Sequence, residues 1–344
     1  MRVITRILIV LVAIAVLLAI IGLFLPSSAH VERSITIDAP QSTVFALING
    51  FRGFNQWSPW FDRDPEAQYT YEGPDFGVGA KMSWTSEQSD VGSGSQEIVA
   101  SEPYGAVRMT LDFGEQGTAR SFFELTSEAD GTGVTWGFDT EFGLNLISRY
   151  FGLAFDSLLG PDYETGLANL KELVESLPKL DWSDLDIQIV EVEPVAIAYV
   201  TASSEPAGVP ETLNKSYAEV QAFMAAQGIS QAGARITLTN SWDEQRWDFD
   251  AAIPIDRIPE EVEEPSSRAG SAVQIGETYG GQVVKTVLVE SGTGGDPVVV
   301  YDKIRAFVAA HALESAGRSW EEYPSDPAQT SHGEFVTHVY FPVK

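Results

Sequence analysis

The last third of the chain is written twice, and a duplication of that length constrains a fold more tightly than local propensity does. From Tyr217 the sequence runs YAEVQAFMAAQGISQAGARITLT, and from Tyr301 it runs YDKIRAFVAAHALESAGRSWEEY, without a gap. Phe223 falls on Phe307, Ala225 and Ala226 on Ala309 and Ala310, and Gly233 on Gly317. Each copy closes on an apolar strand carrying a late proline, WDFDAAIPID (Trp247 to Asp256) and EFVTHVYFPVK (Glu334 to Lys344). A helix-then-strands unit repeated in this way predicts two like halves facing across a pseudo-two-fold crevice, the natural concave site of such a fold. No metal or nucleophile motif accompanies the repeat, so it points to a receptor for a small ligand rather than to a catalytic machine.

Charge narrows the partners. With 49 acidic against 21 basic residues the net charge is -28. A phosphate backbone would be repelled, and no basic stripe offsets this, so nucleic acid is not an expected partner. Anionic lipid headgroups are disfavoured for the same reason, and cationic molecules are the sign-matched ligands. The sequence has no cysteine, which removes thiol catalysis, Cys-ligated zinc and disulfides.

Ile7 to Leu25, ILIVLVAIAVLLAIIGLFL, carries no charged or polar side chain. At about 1.5 Å per residue it comes close to crossing a hydrocarbon core of roughly 30 Å. Arg2 and Arg6 precede it and Pro26-Ser27-Ser28 ends it. The positive-inside tendency then puts the N-terminus in the cytoplasm and the remainder outside, periplasmic in a Gram-negative cell. A cleaved signal peptide, with Ser27 and Ala29 before the cut, is the alternative; its apolar region would be long for that role. Either way the folded part is expected to be extracytoplasmic.

From Val31 a strand runs to Ile37, and Pro40 opens a helix whose apolar face is Val44, Phe45, Leu47 and Ile48. Trp57 and Trp60 bracket Ser58-Pro59 in an expected turn. Six strand-like stretches follow, from Gln68 to Phe142, and a long helical stretch from Ile147 to Leu177 has an expected break or bend at Gly160-Pro161. Strand, short helices, antiparallel strands and a closing helix make an α+β helix-grip order. "ITIDAPQSTVFALI", "WSPW", "GVGAKMSW" and "YETGLANLKELVES" resemble the START-like or polyketide-cyclase superfamily (SRPBCC). That resemblance implies a sheet curled around the long helix and a deep apolar cavity for lipids or hydrophobic metabolites. Trp57, Trp60, Trp84 and Trp136 are candidates to line or close it, and Arg108 and Arg120 either hold an acidic headgroup or face solvent. His30 at the edge is the segment's only histidine, so the commonest general base is missing.

Pro178 to Asp184, charged and without periodicity, reads as a hinge. Beyond it each half reads strand, helix, strand, strand, with the acidic, proline-bearing stretch Arg257 to Gly270 between the copies. "EEYPSDP" and the terminal "EFVTHVYFPVK", echoed by "ITLTNSWDE" and "WDFDAAIPID", resemble the gyrase-inhibitor-like (GyrI-like) family, or AraC-type effector-binding domain. The resemblance implies a duplicated α+β fold whose groove takes small aromatic or cationic molecules, and an acidic residue in the final strand directed at the ligand. In this chain that slot holds His338, and the matching slot of the first half holds Asp250. Glu321 and Glu322, beside Trp320 and Tyr323, could hold a cation by charge and π-face together; strand alternation lets only one of the two acids face the groove. His332 and His338 lack a third ligand of clear spacing, so no metal is expected.

The organisation expected is therefore an anchor over 1–29, a START-like domain over 30–177, a linker over 178–186 and a duplicated effector-binding domain over 187–344, with copies at 187–256 and 273–344. The expected function is that of an anchored extracytoplasmic small-molecule-binding protein. Its ligand contacts would be Trp320, Glu322, Tyr323 and His338 from one half and Trp242, Trp247 and Asp250 from the other, with no cofactor and no assigned catalytic residue. A hydrolase using Glu322 with Tyr323 or His338, and a ligand-free interaction module, are the alternatives.

Overall fold

The computed structural model of the chain describes residues 2–259, 273–290, 297–324 and 335–344. Most of the connection expected at Arg257 to Gly270 lies outside them, as does His332. The protein is α+β and divides into two compact units, Met1–Asp181 and Trp182–Lys344.

The first unit begins with α1 (Arg2–Phe24), apolar throughout after its two arginines. Its stretch Ile4–Phe24 is long and apolar enough to cross a membrane, a property it shares with signal sequences. Then come β1 (Ser28–Ile37), α2 (Gln41–Ile48), α3 (Pro59–Arg63), β2 (Gln68–Glu72), β3 (Lys81–Thr85), β4 (Ser93–Glu102), β5 (Ala106–Asp112), β6 (Thr118–Glu128) and β7 (Gly131–Glu141), followed by α4 (Leu146–Gly152) and α5 (Phe155–Glu175). The strands form one antiparallel sheet in the order β1-β7-β6-β5-β4-β3-β2. Alternation along β6 buries Ala119, Ser121, Phe123 and Leu125 and exposes Arg120 and Glu124, as a sheet with one wet face requires. The buried face packs on Tyr163, Leu167, Leu170 and Val174 of α5, which recur at helical spacing. At Gly166 an added Cβ would stand 2.7 Å from the Trp136 ring, so only glycine lets that indole lie so close to the helix.

One local expectation is corrected and another is narrowed. The Ser58-Pro59 turn is the start of α3, with proline at the first helical position, where its missing N–H costs nothing. The closing helix is interrupted at Leu153-Ala154, between α4 and α5, whereas Pro161 lies within α5. The neighbouring Gly160 is spanned by Arg33 of β1, which ion-pairs with Asp156 at 2.9 Å and Glu164 at 2.8 Å, one turn to either side. Those bonds hold the helix through the proline.

The second unit contains β8 (Gln188–Val192), β9 (Ala196–Ser204), α6 (Val209–Gln227), β10 (Arg235–Trp242), β11 (Trp247–Pro254), β12 (Gln274–Glu277), β13 (Gly281–Glu290), α7 (Pro297–Ala310), β14 (Trp320–Tyr323) and β15 (Phe335–Pro342). They form one sheet, β12-β9-β11-β10-β14-β15-β13-β8. The duplication is visible in that order, since each half contributes a hairpin beside the central β10–β14 pair and its first strand crosses to the far edge of the other half. The pseudo-two-fold passes between Thr237 and Glu321, equivalent residues that face each other across β10 and β14. The helices end alike: Gly228 has φ 62°, and its counterpart Ala312 has φ 52°, left-handed although it carries a Cβ. In both halves the residue after this position donates to the carbonyl five back, Ile229 to Met224 and Leu313 to Val308.

Trp182, within the expected linker, is buried and meets Phe307 edge-on at 5.9 Å. Asp181 just before it accepts a hydrogen bond from the Ser42 hydroxyl at 2.8 Å.

Candidate functional site

Among the described residues, two places gather polar side chains against aromatic ones. In the first unit a cavity of about 200 Å³ lies between the sheet, α3 and α5, walled by Phe54, Trp60, Trp84, Leu111, Phe138 and Leu159. Trp60 and Trp84 thus line the cavity as expected. Trp57 and Trp136 are core instead, meeting edge to face at 5.5 Å, with Trp136 stacked on Tyr163 at 4.0 Å. Arg108 and Arg120 are exposed, and Arg108 pairs with Glu124 at 3.3 Å. Their strand positions point them to solvent, so neither holds a ligand headgroup in the cavity.

Beside the exposed Asp90 and the half-buried Tyr69, three buried polar residues, Tyr163, Gln96 and Ser58, interrupt the apolar wall. Burial pushes the Tyr163 phenol well above its ordinary value, so it is neutral and can donate. Gln96 is buried. The Ser58 hydroxyl is buried and has no hydrogen-bond partner among the described residues. Ser58 occupies the N-cap position of α3 yet makes no side-chain cap bond, although serine there ordinarily would. Its sequence context, Trp-Ser-Pro-Trp, reads as a turn and gives no sign that the residue lines a cavity. Gln96 and Ser58 were both missed for that reason.

In the second unit α6 and α7 cover one face of the sheet. Tyr217 of α6 bonds the Thr237 hydroxyl at 2.8 Å, and its counterpart Tyr301 of α7 donates to Glu321 at 3.0 Å. The opposite face collects Leu238, Asp250, Trp320, Glu322, His338 and Tyr340 through the ladders Leu238–Asp250, Leu238–Trp320, Trp320–Tyr340 and Glu322–His338. Trp320 and Tyr340 stack with centroids 4.9 Å apart and planes 8° from parallel, and Lys285 lies over the Tyr340 ring at 5.1 Å. One oxygen of Glu322 receives Tyr340 Oη at 2.9 Å and lies 3.1 Å from His338 Nδ1. Burial, then the Glu322 bond, raises the Tyr340 phenol. Asp250, the structural counterpart of His338, is buried and accepts from Thr201 and Asn240 at 2.8 Å each and from Arg318 at 2.5 Å.

The expected contacts divide accordingly. Trp320, Glu322, His338 and Asp250 share one face, with Glu322 and His338 side chains about a quarter exposed and Trp320 buried. Tyr323 points the other way, donating to Glu321 at 2.6 Å on the helix-covered face, where burial and that carboxylate raise its phenol. Trp247 also lies on the helix face, against Phe249, and Trp242 is exposed at the hairpin end. An irregularity in β10 between Thr239 and Ser241 shifts Trp242 out of the Leu238 alternation to pair with Trp247, whereas Trp247 lies on the helix face by unbroken alternation with Phe249. Asp250 is matched by Arg318 and is not an open cation site. Tyr340 and Arg318 were missed; two-residue alternation from His338 would have placed Tyr340 on the same face.

A sheet gripping a long helix around an apolar cavity defines the first unit as a START-like domain. Residues 28–175 match the family described as polyketide cyclase / dehydrase and lipid transport, a small-molecule-binding class. No curated protein matches the chain significantly. Among solved structures, the EcmrR C-terminal domain is 12% identical, with 46% of this chain and 98% of that one covered and a TM-score of 0.39. An uncharacterized conserved protein from Listeria innocua is 15% identical, with 46% and 92% covered and a TM-score of 0.36. A hydrolase from the same organism is 15% identical, with 46% and 91% covered and a TM-score of 0.34. These scores are too low to carry a functional argument.

Proposed function

We propose that the chain is a membrane-anchored, extracytoplasmic small-molecule-binding protein, made of a START-like domain over 30–177 and a duplicated effector-binding domain over 187–344. The observation that carries the reading is the unpartnered Ser58 hydroxyl in the wall of a predominantly aromatic and aliphatic cavity. A buried hydroxyl without a partner costs about 1–3 kcal/mol, and a ligand bearing one polar group on an apolar body would relieve it. The cavity therefore suits a compact, two-ring molecule with a hydroxyl. In the second domain, Glu322 and His338, flanked by the Trp320–Tyr340 stack, are the proposed contacts for an aromatic or cationic ligand. Arg2 and Arg6 before the apolar span support a cytoplasmic N-terminus, which a topology reporter fused after Lys344 would test.

The test of binding is calorimetric titration of the full chain in detergent with 2-naphthol and with naphthalene, using matched micelle blanks. Saturable binding of 2-naphthol, tighter than that of naphthalene, is expected. Micelle partitioning alone for both compounds would overturn the reading. A hydrolase is the second reading, favoured by one feature, the Glu322–His338–Tyr340 cluster, in which a carboxylate, an imidazole and a phenol converge.

A further inference from the structure

α4 is joined to the end of the apolar helix α1 by bonds that a free surface helix would not need. Arg149 of α4 is buried, and its Nη1 donates to the carbonyls of Gly22 at 3.4 Å, Leu23 at 3.1 Å and Leu25 at 3.3 Å. These are carbonyls at the C-terminal end of α1, which have no partner inside their own helix and attract a cation. Tyr150 Oη donates to the Leu18 carbonyl at 2.7 Å. Leu18 is six residues before Phe24, so Tyr150 reaches roughly 9 Å back along α1 from its end. Gly22 makes room for the approach, since a Cβ there would stand 3.2 Å from Leu146. While Leu146 and Tyr150 face α1, the other side of α4 is apolar and bare: Leu144, Ile147 and Phe151 are 84%, 72% and 65% exposed, and Leu153 and Leu158 continue the patch.

We infer that α4 lies in the membrane interface, with Leu144, Ile147, Phe151 and Leu153 embedded among the upper acyl chains beside the exit of α1. The inference rests on α1 spanning a bilayer. If Ile4–Phe24 fills a hydrocarbon core of roughly 30 Å, a helix bonded to Leu18 stands at or below the outer boundary of that core, where an exposed apolar face is covered by lipid. Interfacial helices bury such faces about 5–10 Å deep. The continuity with α1 commits the patch to lipid rather than to a second copy of the chain. It also sets the cavity near the bilayer, because Leu159, next to the exposed Leu158, is part of the cavity wall. An apolar ligand dissolved in the membrane would then have a short route in.

The absence of native cysteine makes the test direct. Single variants Ile147→Cys and Phe151→Cys of the full chain are labelled with a small fluorophore and reconstituted, one copy per nanodisc, in phosphatidylcholine with and without lipids spin-labelled both near the top and near the end of the acyl chain. Ile14→Cys in α1 reports on the span itself. Val99→Cys in β4, four strand positions from β1 and exposed, serves as the aqueous control. The labels at 147 and 151 are expected to lose most of their emission to the spin-labelled lipid, as at 14, while the label at 99 keeps its own. Quenching at 14 without quenching at 147 and 151 overturns the inference and leaves the anchor intact. No quenching at 14 removes the anchor and this inference with it.

Discussion

Replacing Ser58 by alanine separates two accounts of that residue by the sign of the effect. Serine at a helix N-cap ordinarily bonds a backbone N–H of the first turn, and its loss costs about 1 kcal/mol. Here Ser58 holds the N-cap position of α3 but makes no such bond, and its hydroxyl is buried in the cavity wall without a partner. Removing it takes away a desolvated polar group worth about 1–3 kcal/mol of penalty, and the methyl left behind suits the neighbouring Trp60 and Phe54. Ser58→Ala should therefore stabilise the unliganded first unit by about 1 kcal/mol, raising its melting temperature by about 2–4 °C. The same change should weaken 2-naphthol by about 0.5–1.5 kcal/mol, or roughly two- to tenfold, because one ligand hydrogen bond is lost. Naphthalene should bind as before. Thermal unfolding and calorimetry on the two proteins supply both readings. A destabilised variant, or one that loses both compounds equally, would show that Ser58 is a structural cap and that the cavity has no polar anchor there.

Other expectations follow from the second unit. Ala312 adopts a left-handed φ that costs a residue with a Cβ about 1 kcal/mol, so Ala312→Gly should raise stability in urea by about 0.5–1 kcal/mol, as its twin Gly228 indicates; no gain would mean the site is unstrained. His311, packed on Phe307 and largely buried, has its pKa lowered by burial to about 4. Its folded value is below its unfolded one, so its contribution is present above about pH 6.5 and is lost as the pH falls toward 4, with no further change below. His311→Asn should flatten the stability profile in that window, and an unchanged slope would assign the acid sensitivity to carboxylates. Glu322→Gln should weaken a cationic aromatic dye by about 1–2 kcal/mol and leave its uncharged analogue alone, whereas equal affinities for both in both proteins would exclude Glu322 as a ligand contact. Cutting between Pro178 and Asp184 should give two fragments, each with one cooperative unfolding transition; a molten fragment would show a shared core.

The strands were legible because a sheet with one wet face writes alternation into its sequence, as in Ala119 to Leu125, and because the repeat carries its own register. The long apolar helix α1 was legible from composition alone. Side-chain destinations were less so. Tyr323 and Glu322 are neighbours in sequence and occupy opposite faces of β14, and the irregularity in β10 turns Trp242 to the side of the sheet away from Trp320. Asp250 looked like a free acid because its cation, Arg318, comes from a segment 68 residues away. Ser58 looked like a turn residue because its place in a cavity wall is decided by long-range packing.

The claim that the first unit holds a small apolar molecule is tested most directly by native mass spectrometry of the full chain released from detergent, beside the cavity-filling variant Leu111→Trp. The account predicts one small-molecule adduct, native or added 2-naphthol, on the wild-type chain and its loss in the variant. An adduct of equal occupancy on both proteins, or none on the wild type at saturating 2-naphthol, would contradict it.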